Sequence, residues 1–174
     1  MRTYFLKTER IGFSNWTKED LGLALSLWGD EEVARYICAT GKLSEQDVLK
    51  RLSLEMENGA RFHIQYWPIF SLEDGEFLGC CGLRPGDMDK GIFELGYHLK
   101  RSQWGKGYAT EAAGAVIHYA FDALRAANLI AGHHPQNEGS GKVLAKLGFH
   151  RIEDAYYPPT GLYHAAYIYR LPDQ

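Results

Sequence analysis

The segment 91–113, GIFELGYHLKRSQWGKGYATEAA, limits the possible folds of this chain more than any other part of the sequence. Alternating apolar and polar residues over 93–99 predict a strand, and an apolar stripe at helical spacing over 109–124 predicts a helix. The connecting residues 104–109 include two glycines separated by one residue. Glycine lets a backbone approach a ligand closely, and the free amides and dipole of a helix start favour an anion. The sequence therefore predicts a phosphate-binding turn between this strand and this helix.

The remaining sequence alternates strand-like segments with amphipathic helical segments, without an internal repeat or a linker. A turn at 73–76 favours a hairpin, and Thr17, Ser44 and Asn137 are positioned to cap helices. This order predicts a mixed α/β fold in one domain, 1–174, with a central twisted sheet of about seven strands and about four helices. The predicted strands are 4–13, 61–71, 77–83, 92–99, 128–131, 149–157 and 163–171, and the predicted helices are 18–28, 45–56, 109–124 and 138–147.

Composition narrows the classes of function. A chain of 174 residues with 45% hydrophobic and 24% charged residues is typical of one soluble globular domain. The net charge of −3 gives no reason to expect nucleic acid as a partner, and no apolar run reaches the ~18 residues that cross a membrane. The N-terminal residues lack the long apolar stretch of a signal peptide. Three cysteines, two of them adjacent in the apolar run 77–83, indicate buried thiols and a cytoplasmic location.

Two common phosphate-binding motifs do not fit the sequence. The P-loop requires lysine after its second glycine, whereas the two glycines with that spacing, at 86 and 91, are followed by Ile92. The dinucleotide fingerprint G-x-G-x-x-G meets Thr110 at its last glycine position. His133 and His134 resemble half of a metal site, but no cysteine or carboxylate cluster completes it, so no metal is predicted.

Three segments resemble signatures of the GNAT N-acetyltransferases, in particular the branch of ribosomal-protein N-terminal acetyltransferases: 6–11 (LKTERI), 104–112 (WGKGYATEA) and 137–149 (NEGSGKVLAKLGF). Together they extend over nearly the whole chain. The resemblance implies a single GNAT-like domain with splayed parallel strands at the cofactor site, acetyl-CoA as co-substrate and no metal. Two residues depart from the family: Trp104 stands where GNAT proteins at large have Gln or Arg, and Leu144 where many have a proton-donating tyrosine.

The resemblance also implies which residues hold coenzyme A. Backbone amides from Gly105 to Thr110 would surround the pyrophosphate, while the strand carrying Tyr97 and Leu99 would pair with the pantetheine arm as an added strand does. Asn137 is a predicted helix cap that would also contact the pantetheine. The implied cofactor-binding residues are Tyr97, Leu99, Trp104, Gly105, Lys106, Gly107, Tyr108, Ala109, Thr110, Asn137 and Ser140.

Acetylation of an amine requires a base, because most amines are protonated at neutral pH. Strand alternation puts Glu94, Gly96 and His98 on one face, and GNAT enzymes often use a glutamate on this strand. We therefore predict Glu94 as the general base; a structural ion pair is its alternative role, and His98 is an alternative base. By resemblance, Ser140 is predicted to protonate or orient the leaving thiolate, with a plain serine at a helix start as the alternative.

The sequence thus predicts an N-acetyltransferase that moves an acetyl group from acetyl-CoA to an amine by direct attack in a ternary complex. The acceptor is a protein N-terminus or a small-molecule amine. It would bind between the two early helices and the last hairpin, where Tyr156 or Tyr163 would line the pocket. The alternative is a non-catalytic acyl-CoA-binding regulatory module, although such a module needs no base. Edge strands are compatible with a homodimer, and neither nucleic acid nor a membrane is expected as a partner.

Overall fold

A mixed sheet of eight strands forms the centre of the computed structural model, which describes residues 1–172. The strands are β1 (Leu6–Lys7), β2 (Ile11–Phe13), β3 (Tyr66–Ser71), β4 (Phe77–Pro85), β5 (Ile92–Leu99), β6 (Asn128–His133), β7 (His150–Tyr157) and β8 (Leu162–Tyr169). The α-helices are α1 (Leu21–Trp28), α2 (Glu31–Ala34), α3 (Glu45–Phe62), α4 (Tyr108–Asp122) and α5 (Glu138–Leu147). The predicted α/β class is confirmed. None of these helices is long and apolar enough to cross a membrane.

The sheet order is β1-β2-β3-β4-β5-β6-β8-β7, and within residues 1–172 only β5 and β6 pair in parallel. The eighth strand arises because the predicted strand 4–13 is interrupted. At Thr8 the backbone amide donates to the Ile11 carbonyl at 2.9 Å, and the Ile11 amide donates to the Thr8 hydroxyl at 3.0 Å. These two bonds close a turn, so that β1 and β2 form a hairpin.

Two helical features differ from the sequence prediction. The short helix α2 was not predicted, because four residues are too few to show a helical period; Asp30 caps it by accepting from the Glu32 amide at 2.9 Å. The predicted helix end at residue 56, before the Asn58-Gly59 pair, is wrong, since α3 continues to Phe62. A Cβ at Gly59 would lie 2.4 Å from Nε2 of Gln65, so this glycine serves close packing rather than a helix end.

The helix α4 follows the predicted apolar stripe and packs on the sheet. Its core-facing residues are small near its start, which lets the helix lie close to β4 and β5. This packing holds the glycine turn at 104–107 next to the end of β5. The stripe residues that are buried are Ala112, Ala113, Val116, Ile117, Ala120 and Phe121.

The parallel strands β5 and β6 separate after a short paired region, as predicted. Their pairs are Ile92 with Asn128, Phe93 with Leu129, and Glu94 with Ile130. Beyond Glu94, β5 pairs only with β4, whereas β6 continues alongside β8. The strands therefore diverge and leave an opening in the sheet, with backbone groups of β5 facing it.

Candidate active site

A cavity of about 750 Å³ occupies the opening between β5 and β6. Its walls come from both sides of the sheet. One end is formed by the glycine turn and the starts of α4 and α5, and the other by residues of α3, β3 and β4 together with the segment around α2. The hairpin β7–β8 closes one side, where Tyr156 lines the cavity and the largely exposed Tyr163 packs against Tyr156 instead.

The glycine turn presents unused backbone donors. Gly105 and Gly107 have φ angles of +75° and +83°, in the left-handed region that glycine adopts without strain. The helix α4 begins directly afterwards, at Tyr108. None of the turn, loop and cap hydrogen bonds among residues 1–172 uses the amides of 105–110. Free amides at a helix start suit a diphosphate, so the observed turn fits the phosphate end of coenzyme A.

Arg10 fixes this turn, and the sequence did not reveal it. Its guanidinium donates to the Lys106 carbonyl at 3.1 Å and to Glu111 at 2.7 Å, and it lies 4.4 Å from the centre of the Tyr108 ring. Burial opposes ionisation of Glu111, but hydrogen bonds from Thr8 and Arg10 outweigh it and lower the pKa of this carboxyl. Arg10 thus neutralises the Glu111 carboxylate, which would otherwise repel a phosphate at the helix start.

Lys106 and Trp104 contact the protein itself at this turn. The Lys106 ammonium donates to Oε1 of Gln103 at 3.2 Å, and the buried Gln103 amide donates to Glu76 at 3.0 Å. The Trp104 indole donates to the Leu99 carbonyl at 3.0 Å, at the end of β5. Both side chains therefore hold the turn in place, and neither uses the backbone amides of 105–110.

Glu94, Gly96 and His98 share one face of β5, and all three line the cavity. The residues of the opposite face also border it, namely Leu95, Tyr97 and Leu99. The Tyr66 hydroxyl donates to Oε1 of Glu94 at 3.4 Å. A Cβ at Gly96 would lie 2.3 Å from the Tyr66 hydroxyl. The absence of a side chain at Gly96 therefore leaves room for the Tyr66 ring to lie over β5. Burial, and then the negative charge of Glu94, raise the pKa of Tyr66, which keeps this hydroxyl protonated as a donor.

His98 is less suited to act as a base. Its Nδ1 accepts a hydrogen bond from the Trp28 indole at 3.1 Å. Burial, and then the positive charges of Arg51 and Arg84, lower the pKa of His98 well below its ordinary value. The imidazole is therefore neutral, and Nδ1, the nitrogen that could accept a proton, already accepts the hydrogen bond from Trp28.

Ser140 lies in the first turn of α5, where Asn137 caps the helix by accepting from the Ser140 amide at 3.3 Å. The Tyr97 hydroxyl lies 3.1 Å from the Ser140 carbonyl and 3.0 Å from its hydroxyl. A carbonyl only accepts, so when Tyr97 donates to it, the Ser140 hydroxyl is left to donate to Tyr97 or into the cavity. Leu144, one turn further along, is buried in the core and carries no donor.

The histidine pair at the end of β6 is held by neighbouring polar groups. His133 Nδ1 lies 2.8 Å from the His134 carbonyl and Nε2 lies 3.1 Å from the Tyr167 hydroxyl. Burial, and then the positive charge of His133, lower the pKa of His134. In the part of the chain that the structure describes, no group of three or more His, Cys, Asp or Glu is placed to hold a metal.

Comparison with known proteins identifies the family. A family model described as "Acetyltransferase (GNAT) domain" matches residues 10–150. This match extends over most of the chain, and it includes the turn at 104–107, the strand β5 and all of α5. The chain belongs to the GNAT acetyltransferase family.

Individual relatives agree with that assignment. The chain is 30% identical over 146 residues to the uncharacterized N-acetyltransferase p20 of Bacillus licheniformis. The aligned region covers 84% of this chain and 82% of that protein. A GNAT-family acetyltransferase from Bacillus anthracis has a TM-score of 0.80 at 22% identity, over 95% of this chain and 97% of that one. RimL, a ribosomal L7/L12 alpha-N-protein acetyltransferase solved with coenzyme A, has a TM-score of 0.79 at 12% identity. The superposition covers 94% of this chain and 95% of RimL. The last two similarities show a shared fold.

Proposed function

We propose that this protein is an acetyl-CoA-dependent N-acetyltransferase in which an amine attacks the thioester directly within a ternary complex. The observation that carries the proposal is the single cavity that joins the start of α4 to the carboxylate of Glu94 through the opening in the sheet. A protein that only binds acyl-CoA would need the anion site at the start of α4 but not the carboxylate of Glu94. The acceptor is a primary amine, either on a small molecule or at a protein N-terminus.

Several residues are proposed to hold coenzyme A. The free amides of 105–110 would bind the diphosphate, and the edge of β5 between Tyr97 and Leu99 would bond the pantetheine arm as a neighbouring strand would. Asn137 and Ser140, at the start of α5, line the same cavity. When bound, acetyl-CoA supplies the activated acetyl group as a thioester.

Glu94 is proposed to remove a proton from the acceptor ammonium, directly or through a water. Tyr66 donates a hydrogen bond to one carboxylate oxygen of Glu94, and Glu94 lines the cavity. The amine nitrogen then bonds to the acetyl carbon while the carbon–sulfur bond breaks. A backbone amide of β5 facing the thioester oxygen could stabilise its developing charge by up to roughly 3 kcal/mol. The proton needed by the leaving thiolate would come from Ser140, whose hydroxyl is paired with that of Tyr97.

Direct attack is favoured over an acyl-enzyme because none of the three cysteines lines the cavity. Cys80 and Cys81 are buried in β4, and burial raises the pKa of the Cys80 thiol to about 12. A thiol must ionise to attack a thioester. All three cysteines are free thiols, which supports a reducing cytoplasmic location.

The proposed function predicts that the purified protein binds coenzyme A and releases its thiol only when an amine is present. Calorimetry measures the first, and a thiol-release assay with acetyl-CoA and a panel of amines and N-terminal peptides measures the second, with mass spectrometry of the acetylated product. Tight binding with no product from any amine would contradict catalysis and favour a regulatory module. No heat on titration with coenzyme A would contradict both.

Replacing Ser140 by alanine is expected to lower kcat about ten-fold, because the leaving thiolate loses its proposed proton donor. The affinity for coenzyme A should change less than about three-fold, since the amides of 105–110 remain. Steady-state kinetics and calorimetry separate the two effects. Ser140→Thr, which keeps the hydroxyl, is the matched control and should retain most of the activity. Equal loss in both variants would mean that the hydroxyl has no chemical role.

A further inference from the structure

Arg51, on α3, is a mostly buried cation that forms no ion pair with any side chain of residues 1–172. It lines the cavity, and its guanidinium carbon lies 5.2 Å from the centre of the Trp28 ring. Its Nε is buried and has no hydrogen-bond partner among residues 1–172. None of the ion pairs in that part of the chain includes Arg51. A buried charge without a partner is unfavourable, so such a group is expected to have one when the site is occupied.

The neighbouring carboxylate of Glu55 does not supply this partner. Arg84, on β4, donates from Nε at 3.2 Å and from Nη2 at 2.6 Å to Oε1 of Glu55. The other oxygen of Glu55 accepts from the Tyr66 amide at 2.7 Å. The charge of Glu55 also attracts Arg51, but its hydrogen bonds go to Arg84 and to the backbone. Arg51 is therefore left without a hydrogen-bonded anion at this end of the cavity.

Contacts connect Arg51 to the proposed base. The Trp28 ring beneath Arg51 donates to His98, which shares a face of β5 with Glu94. Tyr66 packs edge-on against His98, with ring centres 5.9 Å apart, and its hydroxyl donates to Glu94. The charges of both Glu94 and Arg51 act on the pKa of Tyr66. A carboxylate and an unpaired guanidinium thus border the same end of one cavity.

We propose that the acceptor carries a carboxylate as well as an amine, and that Arg51 binds the carboxylate while the amine faces Glu94. This inference rests on the proposed function, which defines the amine as the acceptor. The planar guanidinium donates two parallel hydrogen bonds to a carboxylate, which gives both affinity and orientation. The substrate class is therefore an amino acid or a similar zwitterion, rather than a simple amine or polyamine.

The test compares matched acceptors that differ only in the carboxylate. Amino acids of increasing length, from glycine to 6-aminohexanoate, are each assayed beside their carboxamides by thiol release from acetyl-CoA. For the best length we expect kcat/KM to be at least about ten-fold higher for the carboxylate. In Arg51→Gln this ratio should fall to about two-fold or less, with the carboxamide rate little changed. Because each ratio is compared between variants, differences in the pKa of the amines cancel.

Two further variants control for folding and for charge. Arg51→Lys keeps the charge but loses the two-bond geometry, and should retain only part of the preference. Lys50→Gln removes an exposed positive charge at the adjacent position and should leave the ratio unchanged. Circular dichroism and coenzyme A calorimetry confirm that each variant is folded.

A binding measurement separates this inference from the proposed function. Calorimetry with the N-acetylated amino acids, added to the coenzyme A complex, should give a Kd about ten-fold weaker in Arg51→Gln than in the original protein. Acetylation of amines with equal kcat/KM in every pair would overturn the inference and leave the proposed function standing. Arg51-dependent binding of the carboxylates without any acetylation would support the carboxylate site and contradict the proposed function.

Discussion

Replacing Glu94 by glutamine is expected to lower kcat about 100-fold while changing the affinity for coenzyme A less than about two-fold. General base catalysis contributes factors of roughly 10²–10⁴, and an amide cannot take up the proton of the acceptor ammonium. Glutamine still accepts the hydrogen bond from Tyr66, so the geometry of β5 should be preserved. Lowering of kcat without loss of coenzyme A binding would identify an interaction that acts on the chemical step.

The measurement is kcat over a range of pH, beside calorimetry with coenzyme A. In Glu94→Gln the reaction should depend on acceptor amine that has already lost its proton in solution, so the loss of rate relative to the original protein should become smaller as the pH rises. Glu153→Gln, which replaces an exposed glutamate on β7, is the matched control and should behave as the original protein. An unchanged kcat at every pH in Glu94→Gln would remove Glu94 as the base and leave only its contact with Tyr66.

The parts of the site that lie close together in the sequence were predictable. The alternation over 93–99 put Glu94 on the same face of β5 as Gly96 and His98, because a strand has a period of two residues wherever it is placed. The cap of α5 by Asn137 and the glycine turn before α4 follow from equally local rules. Local geometry fixes these features before any tertiary packing is known.

The features that depend on distant contacts were not predictable. Arg10 reaches Glu111 across 101 positions, and Tyr97 reaches Ser140 across 43. No periodicity or capping pattern connects residues so far apart. The sequence also could not distinguish Arg84, which Glu55 neutralises, from Arg51, which has no such partner in the described structure. Whether a charge is free for a substrate is a property of the packed molecule.

Replacing Glu55 by glutamine is expected to lower the free energy of unfolding by roughly 3–5 kcal/mol, because it removes one partner of a buried ion pair. The Glu55 side chain is completely buried and the Arg84 side chain is only 19% exposed. Their attraction offsets the cost of taking both charges out of water, and the remaining guanidinium would lose that compensation. Urea unfolding followed by circular dichroism should show a lower midpoint with an unchanged slope.

Two variants decide whether the loss arises from the unpaired charge. Glu57→Gln, at an exposed position of the same helix, should change the free energy of unfolding by less than about 0.5 kcal/mol. Adding Arg84→Met to Glu55→Gln should recover most of the lost stability, since a well-packed apolar side chain leaves no buried charge. The two substitutions would then be strongly non-additive, as expected for residues in direct contact. If Glu55→Gln unfolds at the original urea concentration, the pair does not stabilise the wall of the cavity and Arg84 is held there by its contact with the Tyr66 ring, 4.2 Å away.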